Sequence, residues 1–190
     1  QNKSSRRTAL YALPYLLVLI FWLFLRHPFV LEGDELNLFT RATELDSFAY
    51  WFNYFSGYYW IMCLMILPFP MGPVFIKLLL QALVVGYCLN RQRNHSGKWA
   101  TTLLYLPFLL PFVLDLGLSA HRLPLYGMLY LFLAAKLFYD HKERRSLDRK
   151  TLVLLSFIIG VLAFWRTEGI YLTVFGAALI LIAYRIPLRN

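Results

Sequence analysis

Residues 8–25 read TALYALPYLLVLIFWLFL, eighteen positions without a charge, followed at once by Arg26 and His27. A helix of this length is long enough to cross the hydrocarbon core of a bilayer, which takes roughly 17–25 apolar residues. Similar runs recur along the chain, and that recurrence decides the fold. The 190 residues are 59% hydrophobic and 15% charged, with a mean hydropathy of +0.56. A soluble domain is about half apolar and a quarter charged. The runs are continuous and Leu-rich, without the alternation of barrel strands. The sequence therefore predicts an all-α polytopic membrane protein.

About six spans are expected, over 8–25, 73–89, 99–118, 123–139, 151–165 and 170–184, in a single transmembrane domain covering 1–190. The last two share one long apolar stretch, broken by WRTEG (165–169), where the chain should turn. The aromatic-dense segment 48–70 is the decisive ambiguity, because a seventh span there would reverse every later loop. Its first half suits the membrane interface, where Tyr and Trp rings collect. Leu45, Phe48, Ala49, Phe52 and Phe55 share one helical face behind an N-cap at Asp46 or Ser47. Residues 26–72 are thus read as an external first loop containing amphipathic juxtamembrane helices.

Charge supports that choice. With a cytoplasmic amino terminus, the inner segments hold 13 of the 19 Lys and Arg residues, in 3–7, 91–98, 142–150 and 185–189. Basic residues concentrate in cytoplasmic loops, and a seventh span would place NRQRNHSGK (90–98) outside. These loops, facing anionic lipid, account for the net charge of +9 and call for no nucleic-acid partner. Cys63 and Cys88 fall near opposite faces and form neither a metal nor a redox motif.

Sidedness then sorts the acids. Seven of the ten fall outside: Glu32, Asp34, Glu35, Glu44, Asp46, Asp115 and Glu168. On the same face lie His121 and Arg122, in SAHRLP (119–124), and Arg166, in FWRTEG (164–169). Each group also fits a plainer role. Asp34 could cap a helix beginning at Glu35, His121 and Arg122 could meet lipid phosphate, and Arg166 could pair with Glu168 at a tight hairpin.

Taken together, the groups describe chemistry. A partly desolvated Asp34 can act as general base towards a hydroxyl. Glu35 can orient the acceptor or, with Asp34, hold a divalent cation such as Mg or Mn. Arg122 and Arg166, with His121 beside them, suit phosphate oxygens, and Glu32 and Glu168 support the two ends of the site. Transfer from a lipid-linked phosphate donor at the extracytoplasmic face is the reaction this set fits. A transporter or flippase of lipid-linked sugars would need charge along the spans, where Lys77, Asp115 and Lys136 are the candidates. A structural subunit bound to other membrane subunits would need none of these groups.

The order of motifs resembles the GT-C superfamily of polytopic glycosyltransferases, which use polyprenyl-phosphate-linked sugars. The matching features are a first span followed by Asp34-Glu35, the entry PFPMGPVFIKLLLQAL (68–83), and GVLAFWRTEGIYL (160–172) with its Gly-x-x-x-x-x-Arg-x-x-Gly pattern. The resemblance implies a helical bundle with an extracytoplasmic cavity and an acid of the first loop as base or metal ligand. It also implies a lipid-linked sugar donor, a glycan, lipid or protein acceptor, and a place in cell-envelope glycan biosynthesis at the plasma or inner membrane. It covers the amino-terminal part of a typical family member.

Overall fold

The computed structural model describes residues 2–26, 34–44, 54–119, 123–166 and 169–186, and these residues contain helices and no strand. The elements are α1 (Asn2–Arg26), α2 (Asp34–Glu44), α3 (Tyr54–Ile66), α4 (Gly72–Arg93), α5 (Lys98–Leu103), a 3-10 turn (Leu106–Leu109), α6 (Pro111–Leu118), α7 (Leu123–Lys142), α8 (Arg149–Trp165) and α9 (Ile170–Ala183). Two helices, α1 and α4, are long and apolar enough to cross a membrane, or three if α5 to α6 is one bent span. At 1.5 Å per residue the 22 residues of α4 reach about 33 Å, whereas the 13 of α3 reach about 20 Å, well short of a 30 Å core.

Helices α1 and α4 run antiparallel in close contact. Asn90 Nδ2 near the end of α4 donates to Thr8 Oγ1 (3.0 Å) near the start of α1. Gly86 makes the approach possible, since a Cβ there would lie 2.5 Å from the Thr8 carbonyl and 2.7 Å from the Ala12 nitrogen. Tyr15, Leu19, Leu78, Ala82, Val85 and Leu89 fill this contact, joined by Leu114 and Leu118 of α6. A second core of Leu133, Leu155, Ile158, Leu162 and Ile180 packs α7, α8 and α9, and α4 also contacts α7. Outward, Leu13, Leu17, Phe21, Phe24, Phe157, Phe164, Val174 and Ile182 stay exposed. An apolar surface this broad needs lipid or further protein against it.

The structure alters several sequence expectations. The predicted span 99–118 is not one helix: it breaks into α5, the 3-10 turn and α6, with a bend of 62°. Pro107 and Pro111 cause this, because neither can donate to the preceding turn and Leu110, before Pro111, is forced into extended backbone (φ −62°, ψ 133°). Helices α1, α4 and α7 overrun the predicted spans 8–25, 73–89 and 123–139, since a charged residue ends an apolar run without ending a helix. The helix expected over Leu45–Phe55 falls mainly on 45–53, outside the described residues. On either side stand α2 and α3, which begins at Tyr54 with Phe55 exposed.

Helix ends are set locally. Asp148 caps α8 by accepting from Thr151 N (3.1 Å), and hydrogen bonding to the Thr151 side chain and then to its backbone N–H holds the carboxyl below the usual range. Helices α7 and α9 both close with a 6→1 backbone bond, Arg145 N to Asp140 O (3.0 Å) and Ile186 N to Leu181 O (3.0 Å). Such closures put the intervening residue in left-handed backbone, a place glycine normally takes. Here it is Arg144 (φ 51°) and Arg185 (φ 54°).

Candidate functional site

The start of α1 and the ends of α4, α7 and α9 meet at a basic end, and the start of α4 with the ends of α6 and α8 lies at the opposite end. Of the sequence-predicted site residues, Arg166 at the end of α8 lies at the opposite end. Asp34 and Glu35 open α2, although their side chains lie outside the described part. Glu32, His121, Arg122 and Glu168 are also outside the described residues. Arg166 is half-buried in extended backbone (φ −145°, ψ 154°) and terminates α8. The turn expected at WRTEG is present between α8 and α9. Gly169 is required there because a Cβ would strike the Leu162 carbonyl.

An aromatic relay links α2 to the end of α8. Phe39 of α2 meets Trp60 of α3 edge-on (6.3 Å), and Tyr59, one residue earlier, packs on Trp165 (5.4 Å), next to Arg166. Tyr59 OH donates to Pro73 O (2.7 Å), fixing α3 to the entry of α4. Trp165 Nε1 is buried and has no hydrogen-bond partner among the described residues. Beside this relay, Phe39, Ala42, Ile61, Leu64, Met65 and Phe69 line an apolar groove of about 340 Å³.

Two other groups at this end have plain structural partners. Asp115 accepts from Arg26 through both oxygens (3.0 Å each) and from Trp22 Nε1 (2.7 Å), which locks the end of α1 to α6. Lys77 is buried and its ammonium donates to the Ser119 carbonyl, joining α4 to the end of α6. Among the described residues no three His, Cys, Asp or Glu side chains converge as metal ligands. Cys63 and Cys88 are buried thiols.

The densest polar centre is at the basic end, and the sequence reading missed it. Asp140, 1% exposed, receives Arg91 Nη2 (2.6 Å), Tyr184 OH (2.5 Å) and the Lys136 ammonium. Arg91 also donates to Glu143 (2.8 Å) and to Tyr87 OH (3.0 Å). Partial burial pushes the Glu143 carboxyl up, but the hydrogen bond from Arg145 (2.6 Å) and the charge of Arg91 outweigh it and hold the group below its usual range. His141 Nδ1 donates to the Ala183 carbonyl (2.9 Å), which leaves Nε2 to face the Arg185 guanidinium (3.5 Å). The network ties α4, α7 and α9 together. Its sequence signal was the Lys136–Asp140 spacing of four on one helix.

No protein-family model, curated protein or solved structure matches the chain. What fold and site define is a class: an all-helical protein with two apolar helices long enough to span a membrane, charged centres at both ends, and an aromatic relay at one of them.

Proposed function

We propose that the chain forms a membrane glycosyltransferase of GT-C type, moving a sugar from a polyprenyl-phosphate-linked donor to a glycan, lipid or protein acceptor. In this reading α1, α4, the bent α5–α6 pair, α7, α8 and α9 make six passes through a plasma or inner membrane. The basic end faces the cytoplasm in this reading, which the distribution of Lys and Arg supports. The opposite end faces outward. Asp34 takes the proton of the acceptor hydroxyl as its oxygen bonds to the sugar's anomeric carbon. The bond from that carbon to phosphate breaks, and the lipid phosphate leaves with its charge held by Arg122, Arg166 and His121. Glu35 orients the acceptor or shares a divalent cation with Asp34, while Glu32 and Glu168 flank them.

The observation that carries this reading is the relay Phe39–Trp60 and Tyr59–Trp165, which packs the helix headed by Asp34-Glu35 and the residue before Arg166 against the same α3. The adjoining apolar groove suits a lipid chain. Transport is the weaker reading. Lys77 and Lys136 are tied to Ser119 and Asp140 at opposite ends, and between Gln81 and Asn90 the buried residues of α4 are Ala82, Val84, Val85, Gly86, Cys88 and Leu89.

The test is Asp34→Asn in reconstituted vesicles supplied with a polyprenyl-phosphate-linked sugar and membrane acceptors. Transfer should disappear while insertion and thermal stability stay as in the parent chain. Undiminished transfer would remove Asp34 from the mechanism.

A further inference from the structure

At the basic end, a cleft of about 750 Å³ opens between the end of α7 and the start of α8. Its cationic lining is Lys136, Arg144, Arg145 and Lys150, with the hydroxyls of Ser146 and Thr151. Three carboxylates also reach it: Asp140, Glu143 and Asp148. Two of these are already answered, Asp140 by Arg91 and Lys136, and Glu143 by Arg91 and Arg145. Asp148 is occupied in capping α8. Arg144 and Lys150, by contrast, are exposed and make no side-chain hydrogen bond or ion pair with any described residue. The local balance leaves unspent positive charge around a concave space.

Topogenic charge explains why basic residues lie at this end, but not why they surround a cleft. Backbone geometry adds a second observation. Arg144 is held in left-handed backbone, where a glycine would close α7 without strain, and its side chain enters the cleft. Arg185, in the same position on α9, has an evident partner in His141. Arg144 has none among the described residues. Planar guanidinium and nearby ammonium and hydroxyl groups are the donors that tetrahedral oxyanions accept.

We propose that this cleft binds a phosphate-bearing anion, with Arg144 and Lys150 as its clamp, Arg145 at its rim and Lys136 behind. The shared chemistry is a phosphate group, presented by an anionic phospholipid of the adjacent leaflet or by a soluble phosphate compound. The site is separate from the proposed transfer site and does not depend on it.

Thermal unfolding of the purified full chain in nanodiscs tests this. One arm compares phosphatidylcholine alone with phosphatidylcholine containing phosphatidylglycerol. The other adds inorganic phosphate to the phosphatidylcholine discs. The parent chain should gain several degrees in one arm, and that arm identifies the source. Arg144→Gly preserves the helix closure while deleting the guanidinium, and Lys150→Gln removes an exposed ammonium. Each should lose most of the gain without lowering the midpoint in phosphatidylcholine. Arg6→Gln, an exposed cation at the same end, should keep it. Gains that fall equally in all three variants would reduce the effect to diffuse surface attraction and overturn the proposal, as would no gain in either arm.

Discussion

Replacing Asp140 by Asn tests whether the buried network fastens the basic end. The substitution keeps shape and volume but removes the charge that Arg91, Lys136 and Tyr184 converge upon. At an effective dielectric near 20, each close charge pair is worth roughly 4–6 kcal/mol gross, most of it offset by desolvation. Taking away one partner leaves the desolvation uncompensated, at a cost of about 3–5 kcal/mol. Arg91 keeps Glu143, but Lys136 is left buried with an amide in place of its carboxylate. For a chain of this size, 1 kcal/mol moves the midpoint by about 2–4 °C, so Asp140→Asn should fall by roughly 6–20 °C. The assay is thermal unfolding in detergent, followed by loss of monodisperse protein on size exclusion. Adding Lys136→Met should recover at least half the loss, because it removes the stranded charge. Asp115→Asn serves as contrast, since the Arg26–Asp115 pair is 58% and 41% exposed and should cost under about 1 kcal/mol. A midpoint for Asp140→Asn within about 3 °C of the parent, less than even a weak buried pair would give, would refute the claim that this carboxylate holds α4, α7 and α9 together.

Further substitutions probe other contacts. Tyr15 is 1% exposed and its hydroxyl has no partner among the described residues, so Tyr15→Phe should raise stability by about 1–3 kcal/mol in the same thermal assay. A Cβ at Gly169 meets the Leu162 carbonyl, so Gly169→Ala should cost about 1–3 kcal/mol and increase proteolytic cleavage at the α8–α9 turn. Glu143 has a folded-state pKa below its ordinary value of 4.5. Its stabilising contribution is therefore fully present above about pH 4.5 and is lost as pH falls through the lower folded value. Scans of the thermal midpoint from about pH 6 to about pH 3 should show that acid limb in the parent and a shallower one in Glu143→Gln.

Helical class is legible, and with it the two long apolar helices α1 and α4, because burial in lipid selects whole residues by polarity and a run of apolar residues states its own length. The bend within 98–118 was legible too, in Pro107 and Pro111, but hydropathy alone averages over a break that removes hydrogen bonds without adding charge. The basic end was harder. Counting Lys and Arg by loop treats each as a topological marker, and under that treatment Arg91 and Arg145 look interchangeable with Arg6 and Lys98, while Lys136 reads only as a charge within a span. What separates them is the third dimension: Asp140 attracts cations from its own helix four residues away and from a helix 49 positions earlier, and a tyrosine 44 positions later. Of the three acids absent from the outer set, Asp140 and Glu143 are the ones the fold sets against those cations, while Asp148 caps α8. The same reasoning applies at the opposite end. Asp34 heads α2, which reaches the end of α8 through rings that composition marks only as interfacial, so Tyr59 and Trp60 encode packing between distant helices as well as depth in the membrane.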